Sequence, residues 1–163
     1  MDSVLQESKK SMKFSKRQID RYSRQIILKK IGIIGQKKLL KSSVLIVGAG
    51  GLGSPVAIYL SALGIGKIGI IDNDKVEISN LARQIIFTNN DINKKKAPTA
   101  INKLKQINPN IKLESFEKKL TKKNINVIAK NFDLIVDGSD NFRTRFLIND
   151  YCLLKKKILV SGA

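Results

Sequence analysis

Residues 44–53, VLIVGAGGLG, join a run of four apolar residues to a glycine-rich turn. A short run of valine, leucine and isoleucine is typical of a strand that is buried on both faces of a sheet. The turn has the spacing GxGxxG and contains four glycines, which are Gly48, Gly50, Gly51 and Gly53. A helix is predicted over residues 54–63, so the stretch predicts a strand, a tight turn and a helix in direct succession.

Strand patterns and helical patterns follow each other along the rest of the chain. The predicted strands are residues 68–71, 111–116, 132–136 and 158–160, and the predicted helices are residues 91–107, 121–130 and 141–154. Asp91 or Asn93 is expected to cap the first of these helices, and Thr121 the second. Because strands alternate with helices, the predicted fold class is α/β. The expected architecture is a doubly wound, mostly parallel, Rossmann-like sheet with the strand order 3-2-1-4-5.

An N-terminal helical segment is expected to precede this sheet. Residues 1–14 are predicted to form a disordered or frayed polar lead-in, since they lack the apolar core of a signal peptide. Helices are predicted over residues 15–28 and 36–40. Residues 15–163 are expected to form one domain, because this length suffices for a single hydrophobic core.

The composition excludes several classes of protein. The chain has no histidine and one cysteine, which excludes imidazole chemistry, an intrachain disulfide and a multi-cysteine zinc site. Its 31 lysines and arginines against 13 aspartates and glutamates give a net charge of +18. Most of the basic residues are lysines spread along the whole chain, so no dedicated nucleic-acid surface is expected. No apolar stretch is long enough to span a bilayer, and a cytoplasmic protein without a membrane partner is expected.

The expected ligand site is the crevice at the carboxyl ends of the strands, where the winding of the sheet reverses. The glycine loop, Asp72 after the second strand and Asp140 after the fourth strand are expected to line it. Glycine lets a phosphate approach the backbone, and the following helix offers N–H groups at its N-terminus. Asp72 follows Gly53 by 19 residues, the spacing of a carboxylate that accepts ribose hydroxyl groups. These features predict a nucleotide site without separating NAD from ATP, and a tight turn without a ligand is the structural alternative.

Basic residues after Asp72 favour ATP over NAD. Nucleotidyl transfer shifts negative charge onto the departing pyrophosphate, which cations stabilise, whereas hydride transfer needs no cation at this place. Arg83 offers a forked donor for phosphate oxygens, and Lys96 offers a point charge. Asp140 is a candidate ligand of Mg²⁺, which prefers carboxylate oxygens. The structural alternatives are a surface ion pair for Arg83, a solvated helix residue for Lys96 and a helix N-cap for Asp140.

Four motifs together resemble one known family. They are RYSRQIIL at 21–28, VLIVGAGGLGSPVA at 44–57, GIGKIGIIDNDKVEISNLARQ at 64–84 and DLIVDGSDNFRTR at 133–145. In order and spacing they are similar to the ThiF/MoeB/HesA group of adenylyltransferases, which are related to ubiquitin-activating enzymes. The resemblance covers residues 21–163 and is far more specific than the GxGxxG spacing alone.

The resemblance implies a reaction. ATP and Mg²⁺ activate the C-terminal glycine carboxylate of a small ubiquitin-like sulfur-carrier protein that ends in Gly-Gly and is of the ThiS or MoaD type. The products are a carrier acyl-adenylate and pyrophosphate, and the pathway is thiamine or molybdenum-cofactor biosynthesis. The carboxylate is itself the nucleophile, so no side-chain base is required, which agrees with the absence of histidine.

The resemblance also implies roles for single residues. The implied nucleotide-binding residues are Gly48, Gly50, Gly51, Gly53, Asp72, Asn80, Arg83, Lys96, Asp140 and Asn141. Among them Asp72 binds the ribose, Asp140 holds Mg²⁺, and the phosphates are held by Asn80, Arg83 and Lys96. Arg24 reaches into the ATP site of a partner subunit, which implies a homodimer. The expected catalytic residues are Arg24, Arg83, Lys96 and Asp140.

The departures from the family pattern concern the C-terminal region. Members of the group have longer chains, with a reactive cysteine and paired CxxC zinc ligands in the additional part. The chain is therefore expected to be truncated, and zinc is expected only in the missing part. Cys152 does not match the reactive position and is predicted to be a core residue. Two alternatives to an adenylating enzyme stay open, namely a non-catalytic nucleotide- or carrier-binding module and an NAD-dependent oxidoreductase.

Overall fold

The computed structural model describes residues 14–162 of the chain. The described residues divide into two compact units, with the division between residues 38 and 39. The predicted lead-in, residues 1–14, lies outside the described residues except for its last position. No helix within the described part of the chain is long and apolar enough to cross a membrane.

Two helices precede the sheet. Helix α1 is Lys16–Ile26 and helix α2 is Gly32–Lys41. A capping box begins α1, in which the Ser15 hydroxyl accepts the N–H of Gln18 at 3.2 Å and the Gln18 side chain accepts the N–H of Ser15 at 2.9 Å. Both predicted helices are therefore present, although α1 ends before residue 28 and α2 begins before residue 36.

The second unit contains a sheet in which every neighbouring pair of strands is parallel. The strands are β1 (Ser43–Val47), β2 (Lys67–Ile71), β3 (Lys112–Phe116), β4 (Leu134–Asp137) and β5 (Ile158–Ser161). Their order is β3-β2-β1-β4-β5, which confirms the predicted doubly wound order. Val47 pairs with Ile71 and Asp137, and Ile71 pairs with Phe116, so four strands end at the same level of the sheet.

Helices cover both faces of this sheet, as predicted. They are α3 (Gly53–Leu63), α4 (Lys96–Ile107), α5 (Ile125–Ala129) and α6 (Phe142–Lys155). One buried cluster joins Ile46 of β1 to residues of α3 and α4, and the other joins Leu45 to residues of α5 and α6. These two neighbours belong to different clusters because successive residues of a strand point to opposite faces of the sheet.

The predicted cap of α4 is wrong. The helix begins at Lys96 rather than near Asp91 or Asn93. Asp91 instead closes a short 3-10 turn, where its Oδ2 accepts the hydroxyl and the N–H of Thr88 at 2.8 and 2.9 Å. Asn93 has a φ of 68°, whereas a helix N-cap has an extended backbone. The Asp91 carboxylate, which the sequence offers as a helix cap, is therefore already hydrogen-bonded to Thr88 in the turn before the helix.

The predicted cap of α5 is also wrong. This helix is Ile125–Ala129, and the residue before it is Asn124 rather than Thr121. The N–H of Thr121 donates to Oδ1 of Asn124 at 2.8 Å, and Nδ2 of Asn124 donates to the carbonyl of Lys119 at 2.9 Å. The Asn124 side chain thus stabilises a turn over residues 121–124, and the helix begins only after it.

Asp91 is a buried carboxylate with an ion-pair partner. Its Oδ2 lies 3.0 Å from Nζ of Lys103. Burial by itself raises the pKa of Asp91, but hydrogen bonds from Lys103 and Thr88 and the charge of Lys103 outweigh burial and lower the pKa from 3.8 to about 2. The folded state therefore binds this proton less readily than the unfolded chain. The resulting stabilisation is present above about pH 4 and is lost as the pH falls through 2.

Asp91→Asn is expected to show the size of this contribution. At pH 6 the free energy of unfolding of the wild-type chain should exceed that of the variant by roughly 1–2 kcal/mol, and the excess should vanish near pH 2. Urea unfolding of both proteins at several pH values measures this difference. An excess that stays constant from pH 6 to pH 2 would show that the Asp91 carboxylate does not control acid stability.

Candidate nucleotide-binding site

A cavity of about 520 Å³ opens at the carboxyl ends of the strands in the second unit. Its wall comes from the loops after β1, β2, β3 and β4 and from the first turns of α4 and α6. The predicted site residues on this wall are Gly48, Gly50, Gly51, Asp72, Arg83, Lys96, Asp140 and Asn141. The structure thus brings the glycine loop, the carboxylate after β2 and the carboxylate after β4 to the place where the winding reverses.

The glycines of the loop after β1 divide into two groups. Gly48 has a φ of +90°, which favours glycine, and a Cβ there would lie 2.9 Å from the carbonyl oxygen of Gly138. A Cβ on Gly53 would collide with the carbonyl oxygen of Gly48, so these two glycines allow close backbone packing. Gly50 and Gly51 lie on the cavity wall, and a Cβ on Gly50 would have its nearest neighbour at 4.0 Å. The backbone at Gly50 is therefore open to a ligand, whereas a Cβ on Gly51 would lie 3.4 Å from Cγ of Arg83.

Asp72 is held in place by two backbone groups. Its Oδ2 accepts the N–H of Ala49 at 2.8 Å, and its Oδ1 accepts the N–H of Asp74 at 2.8 Å. The first of these bonds ties the end of β2 to the glycine loop. Because each carboxylate oxygen can accept a second hydrogen bond, the side chain can take the hydroxyl groups of a ribose at the cavity wall.

Two cations lie on the wall near the glycine loop. Arg83 is exposed, and its Nη1 donates to the carbonyl of Ser79 at 3.1 Å. Lys96 is buried, with 8% of its side chain exposed, and its Nζ lies 3.6 Å from Oδ2 of Asp74. The alternative of a solvated Lys96 side chain is therefore wrong. Both cations are available to anionic groups inside the cavity.

Asp140 and Asn141 have different local roles. Asn141 caps α6, because its Oδ1 accepts the N–H of Thr144 at 2.9 Å. The alternative of Asp140 as the cap is therefore wrong, and its exposed carboxylate lies on the cavity wall. Among residues 14–162 there is no group of three or more side chains of the types His, Cys, Asp and Glu that could hold a metal ion. One carboxylate fits Mg²⁺, which usually keeps water and phosphate oxygens as its other ligands.

Three predicted site residues are not among those that line the cavity, namely Gly53, Asn80 and Arg24. Asn80 is buried, and its Oδ1 accepts the N–H of Glu77 at 3.3 Å. Its backbone carbonyl accepts the N–H of Arg83 at 3.1 Å, so Asn80 shapes the turn that presents Arg83. Arg24 is an exposed residue in the last turn of α1, in the first unit.

The wall also contains residues that were not predicted. They include Gln84, Lys118, Lys119, Leu120, Ser139, Thr144 and Arg145. Arg145 donates from Nη2 to the carbonyl of Ser139 at 3.1 Å, and its Nε lies 4.0 Å from Oδ2 of Asp137. Residues 118–120 follow the predicted third strand, and parallel strands end at the same edge of a sheet. Their position beyond that strand is the signal that could have identified them.

Cys152 is buried in the cluster that contains residues of α6, which confirms the predicted core position. Burial raises the pKa of its thiol above the ordinary value of 9.0, although the charge of Lys157 lowers it.

Because the thiolate is the reactive form of Cys152, we expect the native chain to react with Ellman's reagent at least ~100-fold more slowly than the urea-unfolded chain. Absorbance at the thionitrobenzoate band measures both rates. Equal rates would contradict a buried, inert thiol.

The chain is similar to proteins of known activity. The profile of the ThiF family matches residues 22–163. The chain is 46% identical over 152 residues to the sulfur carrier protein adenylyltransferase of Thermus thermophilus, covering 93% of this chain and 56% of that protein. It is 44% identical over 146 residues to the SAMP-activating enzyme E1 of Haloferax volcanii, covering 90% of this chain and 54% of that protein. The chain thus spans about half the length of these curated relatives.

A solved structure shares the fold. The E. coli tRNA N6-threonylcarbamoyladenosine dehydratase TcdA, in complex with AMP, superposes with a TM-score of 0.86 at 27% sequence identity. The superposition covers 93% of this chain and 61% of that one. The same enzyme has also been solved in complex with ATP. The similarity therefore extends to a protein whose structures contain adenine nucleotides.

Proposed function

The chain belongs to the ThiF family, and from this membership we propose that it adenylates the C-terminal glycine of a small ubiquitin-like sulfur-carrier protein with ATP and Mg²⁺. The observation that carries the proposal is the position of Arg83 and Lys96 on the cavity wall that the glycine loop also lines. Pyrophosphate departure needs cations there, whereas hydride transfer does not. The names of two relatives, sulfur carrier protein adenylyltransferase and SAMP-activating enzyme E1, support this class of reaction.

In the proposed binding mode the nucleotide lies along the cavity wall, from the loop after β2 to the loop after β4. Asp72 accepts the ribose hydroxyl groups, and the triphosphate lies along the glycine loop, where no side chain covers the backbone of Gly50. Arg83 and Lys96 contact the phosphates. Asp140 would hold Mg²⁺, which neutralises phosphate charge when bound.

The proposed reaction needs no base from the protein. A carboxylate oxygen of the terminal glycine attacks the α-phosphorus of ATP, and the bond from that phosphorus to the oxygen that bridges to the β-phosphate breaks. The products are the glycyl-adenylate and pyrophosphate, which leaves with the electron pair of the broken bond. Arg83 and Lys96 stabilise the charge that develops on the pyrophosphate. The absence of histidine agrees with this chemistry because the substrate supplies the nucleophile.

The carrier and the oligomeric state are part of the proposal. A carrier of the ThiS or MoaD type, ending in Gly-Gly, supplies a flexible terminal carboxylate that can enter the cavity. Its adenylate then serves thiamine or molybdenum-cofactor biosynthesis. Arg24, an exposed cation of α1, is proposed to complete the ATP site of a second copy in a homodimer.

A non-catalytic binding module is the second candidate function. In this alternative the cavity binds ATP and the chain docks a carrier, but no adenylate forms.

Nucleotide titration and product mass together test the proposal. Calorimetry with ATP and Mg²⁺ is expected to show binding, and calorimetry with NAD is expected to show none. Incubation with ATP, Mg²⁺ and a carrier ending in Gly-Gly should convert the carrier into a species heavier by one AMP group, measured by intact mass spectrometry. ATP binding without this species would favour the binding module. Preferential binding of NAD would overturn nucleotidyl transfer altogether.

A further inference from the structure

Lys96 and Asp74 form an ion pair on the cavity wall. Nζ of Lys96 lies 3.6 Å from Oδ2 of Asp74. The two side chains differ in burial, since 8% of the Lys96 side chain is exposed against 61% for Asp74. Burying an ammonium group is unfavourable unless an anion compensates it, and within residues 14–162 Asp74 is the carboxylate found at ion-pair distance.

The backbone around Asp74 holds the pair in a defined geometry. The N–H of Asp74 donates to Oδ1 of Asp72 at 2.8 Å, and its carbonyl accepts the N–H of Lys96 at 2.9 Å. The Asn73 side chain donates to Oδ1 of Asp74 at 3.0 Å, which leaves Oδ2 directed to the lysine. The ion pair is therefore built into the contact between the loop after β2 and the start of α4.

We propose that Asp74 competes with the phosphates of the nucleotide for Lys96 and thereby sets the affinity of the site. This inference rests on the proposed function, in which Lys96 contacts phosphate. A separation of 3.6 Å exceeds that of a charge-assisted hydrogen bond, about 2.7–2.9 Å, so the ammonium group keeps donors for a phosphate oxygen. A phosphate that accepts hydrogen bonds from these Lys96 donors lies close to the Asp74 carboxylate, and the two anions repel each other.

The difference in burial between the two side chains determines which of them is displaced when a phosphate binds. Lys96 is held in the wall, whereas Asp74 is in contact with water and is readily hydrated once it loses its partner. A bound triphosphate therefore replaces Asp74 beside Lys96 without drawing the lysine out of the wall. The expected consequences are a lower affinity for ATP and pyrophosphate and a faster release of pyrophosphate.

Asp74→Asn tests this role. The amide keeps the size of the side chain and removes the competing charge, so we expect the complex of ATP with Mg²⁺ to bind about 3- to 10-fold more tightly in calorimetry. Asp74→Ser, which also lacks the charge, should show the same gain. Adenosine has no phosphate and should bind the wild-type chain and both variants equally.

Glu77→Gln is the matched control for loss of charge. Glu77 is an exposed carboxylate on the same loop and does not lie on the cavity wall. Its neutralisation should change the affinity for ATP by less than about 2-fold, because solvent screens an exposed charge outside the cavity wall. A gain equal to that of Asp74→Asn would overturn the proposal.

A double-mutant cycle with Lys96→Gln separates direct competition from a general change of the electric field. In the Lys96→Gln background, titrated with ATP up to millimolar concentrations, Asp74→Asn should give a clearly smaller gain in affinity than in the wild-type background, because only the repulsion between Asp74 and phosphate remains there. The same gain in both backgrounds, or unchanged or weaker binding by a folded Asp74→Asn chain, would overturn the proposal. A wild-type chain that does not bind ATP would overturn the proposed function and this inference together.

Discussion

Gly53→Ala is expected to lower the free energy of unfolding of the second unit by about 3 kcal/mol or more. A Cβ at this position would collide with the carbonyl oxygen of Gly48 and lie 2.9 Å from its carbonyl carbon. Gly48 is itself held in place, because its N–H donates to the carbonyl of Ile71 at 2.9 Å and the carbonyl of Gly138 lies 2.9 Å from the position that a Cβ on Gly48 would occupy. Urea unfolding monitored by circular dichroism measures the loss.

Gly50→Ala is the matched control in the same loop. A Cβ there would have its nearest neighbour, Nε2 of Gln84, at 4.0 Å, and Gly50 is not in the left-handed region of φ. The expected change in the free energy of unfolding is below about 1 kcal/mol. Equal destabilisation by the two substitutions would contradict the division of the glycines into packing positions and positions that face a ligand.

Lys96→Ala is expected to reduce the rate of ATP–pyrophosphate exchange by about 10²- to 10³-fold. The substitution removes a buried cation from the proposed phosphate site, where the surrounding protein weakens solvent screening. The fold is expected to persist because the partner carboxylate, Asp74, is exposed and becomes hydrated. Exchange measured with a carrier ending in Gly-Gly, together with the circular dichroism spectrum, separates loss of activity from loss of structure.

Lys95→Ala is the control for this prediction. Lys95 is the exposed neighbour of Lys96, its Nζ donates to the carbonyl of Asn73 at 3.2 Å, and it does not lie on the cavity wall. Its removal should change the exchange rate by less than about 3-fold, since an exposed charge is screened by solvent. Similar losses from both substitutions would mean that the exchange responds to total charge rather than to a phosphate contact.

The sheet and the glycine loop can be predicted from local sequence. β1 and β2 are short apolar runs that stop at Gly48 and Asp72, and such runs fit a parallel sheet that is buried on both faces. The strand order follows because right-handed connections allow few arrangements of alternating strands and helices. These constraints act within a few residues or through general rules of topology.

The helix boundaries depend on competition between neighbouring polar residues. Asp91 and Thr121 have side chains that suit an N-cap, yet both take part in turns before the helix. Asn141 does cap its helix, next to an aspartate that suits the same position. Local sequence offers several candidate caps, and tertiary contacts such as the ion pair of Asp91 with Lys103 decide among them.

The candidate site could be predicted where a motif carries the residue, as for Gly51 and Asp72. Lys118 lies on the wall because it follows the third strand, which the predicted topology already indicates, whereas no local pattern marks Arg145 in the first turn of α6. The pair of Lys96 and Asp74 depends on an antiparallel backbone contact between positions 75 and 95. Such a contact between two loop segments has no signature in the sequence.

ATP–pyrophosphate exchange in the presence of a carrier protein ending in Gly-Gly tests the proposed adenylation most directly. The expected result is incorporation of labelled pyrophosphate into ATP only when the chain, Mg²⁺ and the carrier are all present. Incorporation should disappear when the terminal glycine of the carrier is removed. A wild-type chain that binds ATP but incorporates no label with the intact carrier would contradict the proposal that this cavity transfers a nucleotidyl group.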